Sequence, residues 1–135
     1  IRTMFSAIHH FQPEHVSAIL KNAVESNAPI AIFDGGDKSI FGILGILIIH
    51  PIAFLLFTPF FKPFKFSRLL FTYIIPLIPL YTIWDGCVSI LRLYQPKELL
   101  KIANDVSPGA YKWAAGRTKS KFGLHASYLI GVPVD

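Results

Sequence analysis

Two adjacent histidines, His9 and His10, have the clearest capacity for chemistry in this sequence, with His10 preferred of the two because it adjoins Phe11. Imidazole titrates near neutrality, so a positioned histidine takes up or releases a proton at physiological pH. Both lie in Phe5-Ser6-Ala7-Ile8-His9-His10-Phe11, between a β-capable stretch and a helix start. Asp34 ends an apolar run in Phe33-Asp34-Gly35-Gly36. Each also has a plainer reading: a loop histidine can simply hydrogen-bond its loop into place, and Asp-Gly-Gly is an ordinary turn. Asp85, in Trp84-Asp85-Gly86, is the first acid after a long apolar window. It must be solvated, functional or held in a structural ion pair, with Arg92 or Arg68 as the partner. His9, His10 and His15 lack metal-ligand spacing, and no metal is expected. Cys87 reads as a small core residue, and Trp84 and Trp113 read as packing.

These groups need elements to hold them. Arg2 to Ser6 reads as a strand with its exit loop. Pro13 suits a first helical position and Glu14 the positive end of the helix dipole. Val16, Ile19, Leu20, Ala23 and Val24 then repeat on one face, until Asn27 breaks the helix. Ala28 to Phe33 is apolar almost throughout, as in a strand covered on both faces. Together they make a βαβ unit with parallel strands. Downstream, Pro96 opens a second helix with Leu99, Leu100 and Ala103 on one side, ending at Asn104-Asp105. Tyr111 to Ala115 and Leu124 to Val132 are β-rich, with no room between them for a crossover, so they form an antiparallel hairpin. The reading is an α/β open sheet, parallel except for that last hairpin. In such sheets ligands bind outside the carboxyl ends of the strands, where Ser6 to His10 and Phe33 to Gly36 lie.

This order resembles the C-terminal half of a class I S-adenosylmethionine-dependent methyltransferase, in a bacterial branch of that family. The similarity rests on Phe5 to Phe11, Pro59-Phe60-Phe61-Lys62-Pro63-Phe64, Ser67-Arg68-Leu69-Leu70, Thr72-Tyr73, Pro76-Leu77-Ile78-Pro79, Trp84-Asp85-Gly86 and Tyr128-Leu129-Ile130-Gly131-Val132-Pro133. It implies a partial Rossmann-like sheet and transfer of a methyl group from S-adenosylmethionine to a small acceptor. His9 and His10 would then be the catalytic residues, with Ser6, Asp85 and Arg92 on the acceptor and Ile8 and Asp34 beside the cofactor. The sequence departs from the family in one large respect: no G-x-G-x-x-G occurs in it, and Gly35-Gly36-Asp37-Lys38-Ser39 has the wrong spacing. The resemblance therefore places the cofactor loop upstream of Ile1, and this chain by itself is expected to be inactive.

Charge and hydropathy divide the chain unequally. It has 135 residues and a formal charge of +5, enough length for a core without disulfide or metal support. The one cysteine makes no internal bridge, which favours a reducing, cytoplasmic home. The start at Ile1, without a charged n-region or cleavage site, points to a longer parent and no signal peptide. From Lys38 to Trp84 there is no Asp or Glu, and the basic residues there are Lys38, Lys62, Lys65 and Arg68. With no long basic face or aromatic RNA-binding motif, nucleic acid is not an expected partner. Residues 38–84 therefore read as a hydrophobic helical insert within a methyltransferase-like domain spanning 1–135. Ser39 to Phe61 is uncharged and long enough to cross a bilayer, but Pro51 and Pro59 divide it and Pro76 and Pro79 break the next stretch, so short broken helices are expected. Three readings follow: a lid of a methyltransferase acting on an apolar or membrane-borne acceptor, a small membrane protein built on a helical hairpin, or a partner-binding module. Peripheral membrane contact follows from the first, and self-association through the outer edge of the Arg2 strand from that edge being unpaired.

Overall fold

The computed structural model describes residues 1–36, 38–119, 121 and 125–134. The chain is mixed α/β and forms two compact units, Ile1–Lys38 with Arg92–Asp135, and Ser39–Leu91. The first unit contains strand β1 (Arg2–Phe5), a 3-10 turn at Ile8–His10, helix α1 (Pro13–Glu25) and strand β2 (Ile30–Gly35). The second contains α2 (Ile40–Phe57), α3 (Phe66–Leu69) leading into a π-helical turn at Leu70–Ile74, and α4 (Leu77–Arg92), whose last residue belongs to the first unit. The first unit resumes with α5 (Pro96–Val106), β3 (Tyr111–Lys119) and β4 (His125–Pro133).

β1 and β2 pair in parallel, Arg2 opposite Ile30 and Phe5 opposite Phe33, with α1 as the crossover. The sheet order is β1-β2-β4-β3. β4 is antiparallel to both neighbours, so only this last strand is reversed, and β3 runs the same way as β1 and β2. The expected reversal of both hairpin strands is corrected on this point. The reason is the position of β4: Leu129 and its neighbours are apolar on both faces and take an interior place, while Lys112, Arg117 and Lys119 suit β3 to the sheet edge.

Val16, Leu20 and Ala23 of α1 and Leu99 and Ala103 of α5 are fully or nearly fully buried with Ile8, Ile30, Ile32 and Leu129. The i, i+4, i+7 spacing that puts the α1 residues on one face thus does what the sequence predicts. α5 begins with Pro96 at its first turn and a capping box, in which the Gln95 amide donates to Glu98 Oε2 at 2.7 Å. The Tyr111 hydroxyl donates to the carbonyls of Ala23 and Ala28, joining β3 to the end of α1. The Trp113 indole lies over its cross-strand partner Gly131, where a Cβ would fall 2.1 Å from a ring carbon.

In the second unit α2 runs unbroken through Pro51, contrary to the expected short helices. A mid-helix proline removes one hydrogen bond, but a helix apolar on both sides of it has no better conformation. The later stretch does break, with a 72° bend between Phe66–Ile74 and Leu77–Arg92. Pro79 falls in the first turn of α4, where its missing N–H removes little. Because α4 continues past Trp84, the unit ends at Leu91. Trp84 itself is 72% exposed and is not packing.

Candidate functional site

The site begins where β1 ends. Ser6 has φ +47° and donates its amide to the Phe33 carbonyl at 2.8 Å, turning the chain off the sheet. Ile8 then drops into the core with no exposed surface, which fixes the 3-10 turn and aims His9 across the end of β2. There His9 Nδ1 meets both carboxylate oxygens of Asp34, at 2.8 and 3.0 Å. Asp34 is a residue of β2 and 2% exposed, so it is neither a turn residue nor a group open to a ligand. A carboxylate accepts only, so Nδ1–H is the donor of this bond and Nε2 is the ring nitrogen that Asp34 does not engage. The His10 ring lies 4.2 Å from that of His9, tilted by 43°.

His9 and His10 line a cavity of about 250 Å³. Lys38, Arg92, Tyr94 and Glu98 line it too, with Phe11 and Leu93 as apolar wall. Gly36 has φ +114°, and a Cβ there would lie 3.0 Å from Leu93 Cδ1, so the close approach that brings Leu93 to this wall needs glycine. The Tyr94 hydroxyl donates to the Phe11 carbonyl at 2.7 Å. Desolvation holds the Tyr94 phenol above its ordinary range, and the carboxylates of Glu14 and Glu98 push the same way. The neutral phenol is therefore favoured in the folded state. Its contribution to stability is present below the unfolded value of about 10 and is lost as pH rises through the higher folded value. In an ultraviolet titration, the step deleted by Tyr94→Phe should lie above about 10. A deleted step at or below that pH would contradict the arrangement.

The structure thus brings together His9, His10 and Arg92, and joins Asp34 to His9. It does not gather the rest. Ile8 is a core residue. Ser6 is exposed, with its hydroxyl against Gly35 rather than on the cavity. Asp85 lies in the second unit, exposed, and makes no ion pair among the described residues. Arg68, one expected partner, donates instead to the Phe61 carbonyl at 2.9 Å and lies 6.0 Å over the Phe61 ring. Among the described residues no cluster of three His, Cys, Asp or Glu could hold a metal ion. Lys38, Tyr94 and Glu98 were not anticipated. Lys38 could have been found by carrying the strand-end argument beyond Gly36, whereas nothing local marks Tyr94 or Glu98 beyond the helix start they flank.

Compared with family models, curated proteins and solved structures, the chain matches none of them.

Proposed function

We propose that this chain is the C-terminal portion of an S-adenosylmethionine-dependent methyltransferase acting on a small acceptor that is apolar or membrane-borne. The His9–Asp34 pair, at the carboxyl ends of two adjacent parallel strands with His9 on the wall of a cavity, carries this reading. A four-stranded mixed sheet with a reversed final strand agrees with it. The residues assigned to the cofactor do not fit that role. Ile8 has no exposed surface, and both oxygens of Asp34 are engaged by His9. The contribution of these residues is to the acceptor, and S-adenosylmethionine as methyl source belongs to residues outside this set.

On the acceptor side, His9 Nε2 takes the proton released as an acceptor O–H or N–H becomes the nucleophile. Asp34, a positioning residue, fixes the tautomer and stabilises the imidazolium that results. Lys38 and Arg92 make no ion pair among the described residues, which favours an acceptor with an anionic group. Phe11 and Leu93 accept its apolar part. In the gene product that contains these residues, His9→Ala should lower labelled methyl transfer into lipid or small-molecule extracts by about 10²- to 10⁴-fold. An unchanged rate would remove His9 from the chemistry, and no transfer by the unaltered protein would remove the methyltransferase reading. A second reading, a small membrane protein organised by a helical hairpin, draws on α2, which has no buried residue. It leaves the His9–Asp34 pair without a role.

A further inference from the structure

The Ser39–Leu91 unit has a surface that water does not suit. Of the exposed large hydrophobic side chains, all but Ile1, Phe5, Phe11, Ile130, Val132 and Val134 belong to it. α2 has 18 residues, none of them buried, and its apolar side chains are spread evenly around the axis. A protein partner or a core would need one apolar face and leave a polar one; an apolar surrounding on every side is what lipid provides. Eighteen residues at about 1.5 Å each span about 27 Å, close to the roughly 30 Å hydrocarbon layer of a bilayer.

We infer that this unit is a helical hairpin embedded in a lipid bilayer. α2 crosses the hydrocarbon layer and the chain returns through the bent pair α3–α4, so that Lys38 and Arg92 stand on one face and the Lys62–Arg68 turn on the other. The inference does not depend on the methyltransferase reading. Its charges are where a hairpin needs them: Lys38 precedes α2, Lys62, Lys65 and Arg68 follow it, and Arg92 closes α4. At those positions basic side chains reach headgroups.

Two polar side chains of the unit, Tyr73 and Thr82, bond backbone carbonyls as hydrocarbon demands. Pro59 has no N–H for the Leu55 carbonyl one helical turn before it, and the Tyr73 hydroxyl donates to that carbonyl instead. Thr82 Oγ1 donates back to the carbonyls of Ile78 and Pro79, each at 3.0 Å. His50 Nδ1 and Thr72 Oγ1 are buried without a partner among the described residues. His50 and Asp85, the only acid of the unit, line one cavity of about 470 Å³, and both lie near the middle of their helices. A shared cavity is where ionisable groups at membrane depth are found.

The test uses the full chain, in membranes from expressing cells and in vesicles of phosphatidylcholine with phosphatidylglycerol. The protein should stay in the pellet on carbonate extraction and float with the vesicles in high salt. In a Cys87→Ser background, Lys65→Cys and Lys97→Cys should react with an impermeant thiol reagent from opposite faces of the membrane. Release by carbonate, labelling of both sites from the same face, or a monomer or closed oligomer that is monodisperse without detergent would each overturn the inference. None of these outcomes bears on methyl transfer, which is measured separately.

Discussion

Replacing His9 with alanine is expected to destabilise the sheet unit by about 3 kcal/mol or more, whereas Asp34→Asn should cost much less. The asymmetry follows from burial. Asp34 is 2% exposed, and no other side chain among the described residues hydrogen-bonds its carboxylate. Without His9 the carboxylate is left in a poorly solvated place with no side-chain donor among the described residues, which is the expensive way to break such a pair. An asparagine at position 34 still offers a carbonyl oxygen to Nδ1–H and brings no charge, so it loses mainly the charge-assisted part of the bond. Amide hydrogen exchange on β2 and β4 reports this unit by itself, and His9→Ala should reduce protection there by about a hundredfold. Equal losses from both variants would show that the pair acts only through shape. In the methyl-transfer assay the order differs: Asp34→Asn, though the milder change to stability, should still lower the rate, because it removes the charge facing an imidazolium.

Gly131→Ala should cost roughly 3 kcal/mol, at the upper end for overpacking, although it adds only one methyl group. The added carbon would fall 2.1 Å from the Trp113 ring, so the indole must leave its place on β4. Trp113 also stacks on Tyr111, with centroids 5.3 Å apart, and Tyr111 in turn holds the end of α1. The disturbance therefore reaches beyond one strand pair. In a Trp113→Ala background the same alanine should cost far less, since the three atoms nearest the new carbon all belong to the Trp113 ring. Gly109→Ala is the control: its φ of +94° disfavours a side chain, but no neighbour lies near, so about 1 kcal/mol is expected from the backbone alone. Full additivity of the Gly131 and Trp113 changes in unfolding would show that the ring does not sit where the close approach requires.

Local signals marked most elements because they depend on neighbours in sequence. Pro13 and the Val16, Leu20, Ala23 repeat gave α1 its start and its buried face, and Pro96 with Leu99 and Ala103 did the same for α5. Proline was the weaker guide in the apolar window. It ended the helix at Pro76, yet Pro51 lies inside a continuous α2, because breaking a helix is worthwhile only where the freed carbonyl finds another partner. Both His9 and Asp34 were legible as reactive groups, but for separate duties on acceptor and cofactor. Asp85 was legible as unusual, though not with the ion pair expected for it.

The sequence by itself determined that this protein has an α/β part with a βαβ start and a closing hairpin, interrupted by an acid-free hydrophobic segment. Periodicity, capping residues and charge distribution are local, and they survive whatever the rest of the chain does. Only the tertiary structure decided that β4 enters between β2 and β3, and that His9 is bonded to Asp34. It also decided that Lys38, Arg92 and Tyr94 share one cavity with the histidines. Those are matters of register and strand order: opposing Phe5 to Phe33 brings the turn after one strand over the end of the next, and no short stretch of sequence contains that pairing.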